Sequence, residues 1–123
     1  MSSAYDGQML EESVRPWGSY EVLQESAIHK VKSISVDPGK RLSYQKHAFR
    51  AEHWFIIQGN AHVTINDELF ELSAGESIEF PIQTWHRIAN SGSDQLIFVE
   101  VQTGTSFEES DIERKEDDYG RTV

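Results

Sequence analysis

The sequence contains no cysteine. That excludes a disulfide framework, a thiol nucleophile and a thiolate metal site. Positive charge is also scarce. Eleven Lys and Arg stand against 21 Asp and Glu, for a net charge of −10 and a sequence pI near 4.8. Nucleic-acid backbones and anionic membrane surfaces both select for the opposite balance, so neither is expected as a partner. Much of the negative charge lies at the two ends, which leaves room for a local basic patch in a pocket. No run of residues approaches the apolar length of a transmembrane helix. The opening Met-Ser-Ser-Ala-Tyr-Asp lacks the basic and apolar regions of a signal peptide. The expectation is a soluble, cytoplasmic protein.

What is present suits a single domain. The 123 residues are 37% hydrophobic, with three Trp, four Tyr and six Phe to fill a core. Residues 1–13 are polar and acidic and read as a flexible arm or an edge strand, with the domain proper spanning 14–121. Arg15-Pro16-Trp17-Gly18 is a turn whose Trp anchors the arm. Short strands follow at 20–23, 30–36, 41–47, 52–58, 61–65, 69–72, 77–80, 85–89 and 96–102. Turn residues separate them: Asp37-Pro38-Gly39, Gly59-Asn60, Asn66-Asp67, Ser73-Ala74-Gly75 and Asn90-Ser91-Gly92-Ser93. No long stretch has helical periodicity, although 108–114 allows a helical turn. Strands this short and this regular predict an all-β antiparallel sandwich or barrel.

The chemistry concentrates between Gly39 and Gly59. Gln45 and His47 are two apart on a strand and share a face. Glu52 opens the next strand and shares its face with Trp54 and Ile56. Burying a carboxylate there is costly unless something positive compensates it. An amide oxygen, an imidazole and a carboxylate together suit a divalent cation. A second stretch, from Gly75 to Asn90, supplies His86 just after a turn led by Pro81, on a strand that a barrel brings opposite the first three.

These two stretches resemble the paired motifs of the cupin superfamily. The matching positions are Gly39, His47, Glu52 and Gly59, then Gly75, Pro81, His86 and Asn90. The chain departs from the pattern at Gln45, where most cupins have His, and at Gln83, where many have Gly. Leu42-Ser43-Tyr44-Gln45-Lys46-His47 and Arg50-Ala51-Glu52-His53-Trp54 narrow the resemblance to the C-terminal cupin domain of type II mannose-6-phosphate isomerases. So do Arg15-Pro16-Trp17-Gly18-Ser19-Tyr20 and Asp117-Asp118-Tyr119-Gly120-Arg121. The resemblance implies a double-stranded β-helix, a metal held by Gln45, His47, Glu52 and His86, and a sugar-phosphate substrate. The metal expected is zinc, with manganese, iron, nickel and cobalt compatible with the same donors. The activity implied is interconversion of mannose 6-phosphate and fructose 6-phosphate. Many relatives carry a preceding nucleotidyltransferase domain with a Gly-rich phosphate loop, and this sequence has no such loop. Ala48-Phe49 replaces additional histidines often present in relatives.

Other residues divide by face. Strand alternation sends His53 outward with Phe55 and Ile57, and His62 toward the surface; His29 carries no signal. Arg41 shares the Gln45 and His47 face, and Arg50 lies between the ligand-bearing strands. Each suits a phosphate, or else a solvated salt bridge. Arg121 joins them through the family match alone. Glu100 shares a face with Leu96 and Phe98. Pointing inward, it is a buried carboxylate able to move protons, and so the candidate catalytic residue. Two other functions remain open on the same site: a metal-dependent dioxygenase or epimerase, and a non-catalytic module that binds a sugar or anion. Phe55 and Ile57 offer an outer surface for a homodimer.

Overall fold

The computed structural model describes residues 11–120. Eleven strands run through them: β1 (Glu11–Arg15), β2 (Gly18–Glu25), β3 (His29–Val36), β4 (Tyr44–Lys46), β5 (Arg50–Gln58), β6 (Asn60–Ile65), β7 (Glu68–Ser73), β8 (Ser77–Phe80), β9 (His86–Asn90), β10 (Leu96–Gly104) and β11 (Glu113–Glu116). They form two antiparallel sheets, ordered β1-β2-β3-β10-β5-β8 and β11-β4-β9-β6-β7. The expected all-β sandwich is therefore present, with two strands beyond the nine expected. Residues 11–13 of the anticipated arm belong to the edge strand β1, paired along β2. The helical turn anticipated at 108–114 is absent. A turn at 109–110 leads instead into β11, which closes the second sheet against β4.

Side-chain alternation builds the space between the sheets. β3 and β10 bury every second residue, as do the first seven residues of β5. The core is Trp17, Tyr20, Val22, Ile34, Val36, Trp54, Ile56, Ala61, Val63, Phe80, Ile88, Leu96 and Phe98. The same alternation continues past the apolar residues into charged ones. Glu52 follows Trp54 and Ile56 inward, Glu100 and Gln102 follow Leu96 and Phe98, and Lys32 and Lys30 follow Ile34. One end of the barrel is thus apolar and the other polar, on the same strands. Phe55 and Ile57 face outward, as the period predicts.

Turns fix where the strands begin. Asn66 and Asp67 both have positive φ, 47° and 70°, which is the twisted hairpin geometry their sequence signals. Gln83 also takes positive φ, at 61°, the backbone position that the glycine of many cupins would occupy without strain. Its N–H donates to the His47 carbonyl at 2.8 Å, tying the strand of one motif to the turn of the other. Gly104 ends β10 opposite Arg50 with φ 153°. A Cβ there would lie 2.1 Å from the Phe49 carbonyl oxygen. Gly104→Ala should therefore lower stability by at least ~2 kcal/mol in urea unfolding. A change under about 0.5 kcal/mol would show that the strand end relaxes freely.

Candidate metal centre

Three strands deliver the centre. His47 follows β4, Glu52 lies on β5 and His86 opens β9; all three are buried, and their ligand atoms lie within 4.8 Å of one another. Backbone carbonyls fix both rings. The Nδ1–H of His86 donates to the Thr84 carbonyl at 2.9 Å, and that of His47 donates to the Asp111 carbonyl. Each bond leaves the ring's Nε2 as a bare lone pair aimed at the centre. His47 Nε2 lies 3.3 Å from Glu52 Oε2, and His86 Nε2 lies 3.8 Å from Glu52 Oε1.

Neither contact is an ion pair. Burial, with the Arg50 charge next in size, depresses the His47 pKa to about 4; burial, then His47, depresses that of His86 to about 3. Both rings are neutral near pH 7, so lone pairs face carboxylate oxygens. Arg50 softens this on one side, donating to Glu52 Oε2 and to His47 Nε2, each at 3.3 Å. Among the described residues His86 Nε2 has no hydrogen-bond partner. A buried, unpartnered lone pair costs roughly 1–3 kcal/mol, and a cation among three such donors removes that cost. The donor set fits a divalent metal. Gln45 is paired in register with His86 and lines a cavity with His47 and Glu52.

Beside the centre lies a second carboxylate. Trp54 Nε1–H is shared between Glu52 Oε1 at 3.0 Å and Glu100 Oε2 at 2.9 Å, and Gln102 Nε2 donates to Glu100 Oε1 at 2.6 Å. Burial and the neighbouring Glu52 raise the Glu100 pKa to about 7. At neutral pH this group can hold or release a proton next to the candidate ligands.

The remaining candidates separate. Arg50 is buried in the cavity, where its second role is to donate to the Glu108 carbonyl at 3.5 Å. Arg41 does not enter it. Arg41 forms a two-pronged pair with Asp118, at 2.8 and 2.9 Å, half exposed at the edge of the second sheet, because its strand pairing there is a lone bridge to Ala89. Arg121 lies outside the described residues. His53 points outward near Glu79, and His62 pairs with Glu71 on the surface. Residues that strand pattern alone did not single out also reach the site: Asp111, whose carboxylate caps the Ala48 and Phe49 N–H groups, and Lys32, Arg15 and Arg114 on the cavity wall. Alternation from Ile34 would have placed Lys32 inside; nothing local in the sequence announces Asp111, which acts across 63 positions.

The family model described as "Mannose-6-phosphate isomerase C-terminal" matches residues 3–117. The chain belongs to this family. It is 49% identical over 112 residues to the alginate biosynthesis protein AlgA of Pseudomonas aeruginosa, covering 91% of this chain and 23% of that protein. It is 43% identical over 117 residues to the mannose-1-phosphate guanylyltransferase ManC of Salmonella typhimurium, covering 95% and 24%. To the xanthan biosynthesis protein XanB of Xanthomonas campestris it is 44% identical over 108 residues, covering 88% and 23%. Among solved structures, an RmlC-like cupin from Shewanella frigidimarina superposes with a TM-score of 0.74 at 17% identity, over 89% of this chain and 96% of that one. The capsular polysaccharide assembling protein CapF of Staphylococcus aureus gives 0.74 at 18% identity, over 86% and 31%. The cupin fold is thereby established.

These findings correct one expectation. The chain spans about a quarter of the length of the relatives it matches. Those relatives bear the names of polysaccharide biosynthesis proteins and a guanylyltransferase, and the match is confined to a C-terminal domain. Interconversion of mannose 6-phosphate and fructose 6-phosphate therefore does not attach to this chain by family membership.

The titrations make a prediction for the metal-free protein. Each imidazole, uncharged in the fold with a depressed pKa, contributes stability that is complete above its unfolded value of 6.5 and is lost as pH falls toward about 4 and 3. Glu100 acts oppositely: its contribution is full below 4.5 and is lost as pH rises through about 7. Two groups outweigh one, so between pH 6.5 and 4.5 stability should fall with acidification by roughly one net proton's slope. Glu100→Gln should steepen that slope toward two. Denaturant midpoints measured across this range check it, and a rise on acidification would contradict it.

Proposed function

We propose that the chain is a divalent-metal cupin domain whose pocket binds a mannose phosphate or a closely related sugar phosphate, in the supply of polysaccharide precursors. The observation that carries the reading is the unpartnered Nε2 of His86, facing Glu52 and His47 in a buried cluster. His47, Glu52 and His86 would hold the ion, with Gln45 beside them, and zinc is the first expectation for such nitrogen and oxygen donors. The metal would act as a Lewis acid toward a ligand oxygen. Arg50 would orient the ligand while compensating Glu52, and Glu100 would hold a proton at Oε1 or Oε2 beside the bound sugar. The names of the relatives, which concern mannose 1-phosphate, alginate and xanthan, support a sugar phosphate as the ligand class. The acidic surface disfavours nucleic acid as the anion.

Metal analysis of purified protein, followed by calorimetric titration of the stripped protein with zinc and manganese, tests the reading. One ion per chain is expected, with affinity reduced at least ~10-fold in Glu52→Ala and in His86→Ala. Mannose 1-phosphate and mannose 6-phosphate should bind the loaded protein more tightly than mannose does. A folded protein that takes up no divalent ion, or a Glu52→Ala variant that binds it equally well, would overturn the reading.

A further inference from the structure

The cavity has a second pole that the metal ligands do not use. Lys32, on β3, is 5% exposed, and its Nζ lies 4.4 Å from the centre of the Tyr20 ring. Arg15 stands by the same ring, its guanidinium 5.1 Å from the ring centre and its Nη2 donating to the Tyr20 hydroxyl at 3.2 Å. Both line one cavity with Arg50, His47 and Glu52. An ammonium buried among aromatic rings needs an anion, and Lys32 finds it in Glu109 at 3.2 Å.

The two partners of that pair are unequal. Lys32 is fixed on a central strand between β2 and β10, whereas Glu109 is 57% exposed on the turn that precedes β11. The connection from β10 to β11 covers the cavity through a few polar ties: the Glu108 carbonyl to Arg50, Glu109 to Lys32, and Asp111 to His47, Ala48 and Phe49. Beneath it the cavity measures about 70 Å³. Pockets that enclose small organic ligands run to roughly 300 Å³ or more, so displacing this cover would give a sugar phosphate the room it needs. The tie with the most exposed partner, Glu109 to Lys32, is also the one a free oxyanion can replace in kind.

We propose that Lys32, with Arg15 beside it, is the anchor for the phosphate group of the cavity's ligand, and that Glu109 occupies the anion position until the phosphate displaces it. This rests on the reading of the pocket as a sugar-phosphate site. It adds a residue assignment, Lys32 rather than Arg41, and a built-in competitor that makes opening of the cover depend on the ligand's charge. Uncharged sugars offer nothing to exchange for Glu109 and are discriminated against for that reason.

Binding of inorganic phosphate and of mannose 6-phosphate to the metal-loaded protein, measured by calorimetry in wild type, Glu109→Gln, Lys32→Gln and Lys32→Arg, decides the matter. Removing the competitor in Glu109→Gln should tighten both phosphates about three- to tenfold. Lys32→Gln should weaken both at least ~10-fold, Lys32→Arg should retain most of the binding, and metal uptake should be unaltered in all three. If Lys32→Gln does not fold, the gain in Glu109→Gln and the retention in Lys32→Arg carry the test. Phosphate binding that is unchanged or weaker in Glu109→Gln, or that is indifferent to Lys32→Gln, would overturn the anchor. Inorganic phosphate bound through Lys32 without preference for mannose phosphates would uphold the anchor and overturn the sugar reading. Mannose 6-phosphate bound more tightly than mannose, yet indifferent to Lys32→Gln, would do the reverse.

Discussion

Glu52 is 3% exposed, with Trp54 and Ile56 next inward on its own strand, and a carboxylate so placed persists only where donors and cations converge on it. Trp54 supplies one donor and Arg50 another, and the two histidines stand opposite with lone pairs rather than protons. The compensation is therefore incomplete on the histidine side. Had the rings been turned to donate from Nε2, the cluster would be a satisfied hydrogen-bond network with no need of a metal. The carbonyls of Asp111 and Thr84 prevent that by claiming the Nδ1–H of each ring. Two backbone carbonyls, neither attached to the histidine it holds, thus convert a polar core into a ligand set.

The same carboxylate organises its neighbour. Burial by itself favours the protonated form of Glu100 on β10. With Glu52 sharing the Trp54 N–H, ionising Glu100 also places a second negative charge beside the first, and its proton is retained up to about neutral pH. Both residues reach the centre by strand alternation, from paired strands whose register sets Glu100 opposite Trp54. A slip by one residue in either strand would send one of them to solvent. The register is held on both sides of β10 and is anchored beside the site by Gly104, where the chain passes too close to Phe49 for any side chain.

What the sequence revealed follows from what local rules can carry. A period of two grouped Glu52 with Trp54 and Ile56, Glu100 with Leu96 and Phe98, and His53 with Phe55 and Ile57 on the face opposite Glu52; the structure turns the first two groups inward and the third outward. The hairpin at Asn66-Asp67 was legible because both residues tolerate the left-handed backbone it needs. Gln83 read as a flaw in a motif; its backbone takes the glycine-like conformation nonetheless, so the turn survives the substitution. Arg41 illustrates the opposite case. Its face was inferred by extending a strand that in fact shrinks to a single bridge there, and an exposed carboxylate, Asp118, captures it. The strand at 113–116 and the roles of Asp111 and Glu109 were invisible for one reason: each depends on pairing across more than 60 positions, which no local pattern encodes.

Charge is distributed in the cavity so that its two poles make different demands on a ligand. At the pole of His47, Glu52 and His86 three lone-pair donors suit a cation, and a ligand would contribute only an oxygen. At the lysine pole a fixed cation already has an anion in Glu109, which a ligand would have to outcompete. Arg50 lies between, touching Glu52 and His47 on one side and the cover's Glu108 carbonyl on the other. On the proposed reading, a ligand that satisfied one pole alone would leave either Glu109 on Lys32 or the metal without the ligand's oxygen. A molecule with a hydroxyl or carbonyl oxygen at one end and an oxyanion at the other would satisfy both. The proposed requirement rests on side chains within this chain, which spans about a quarter of the length of its longer relatives.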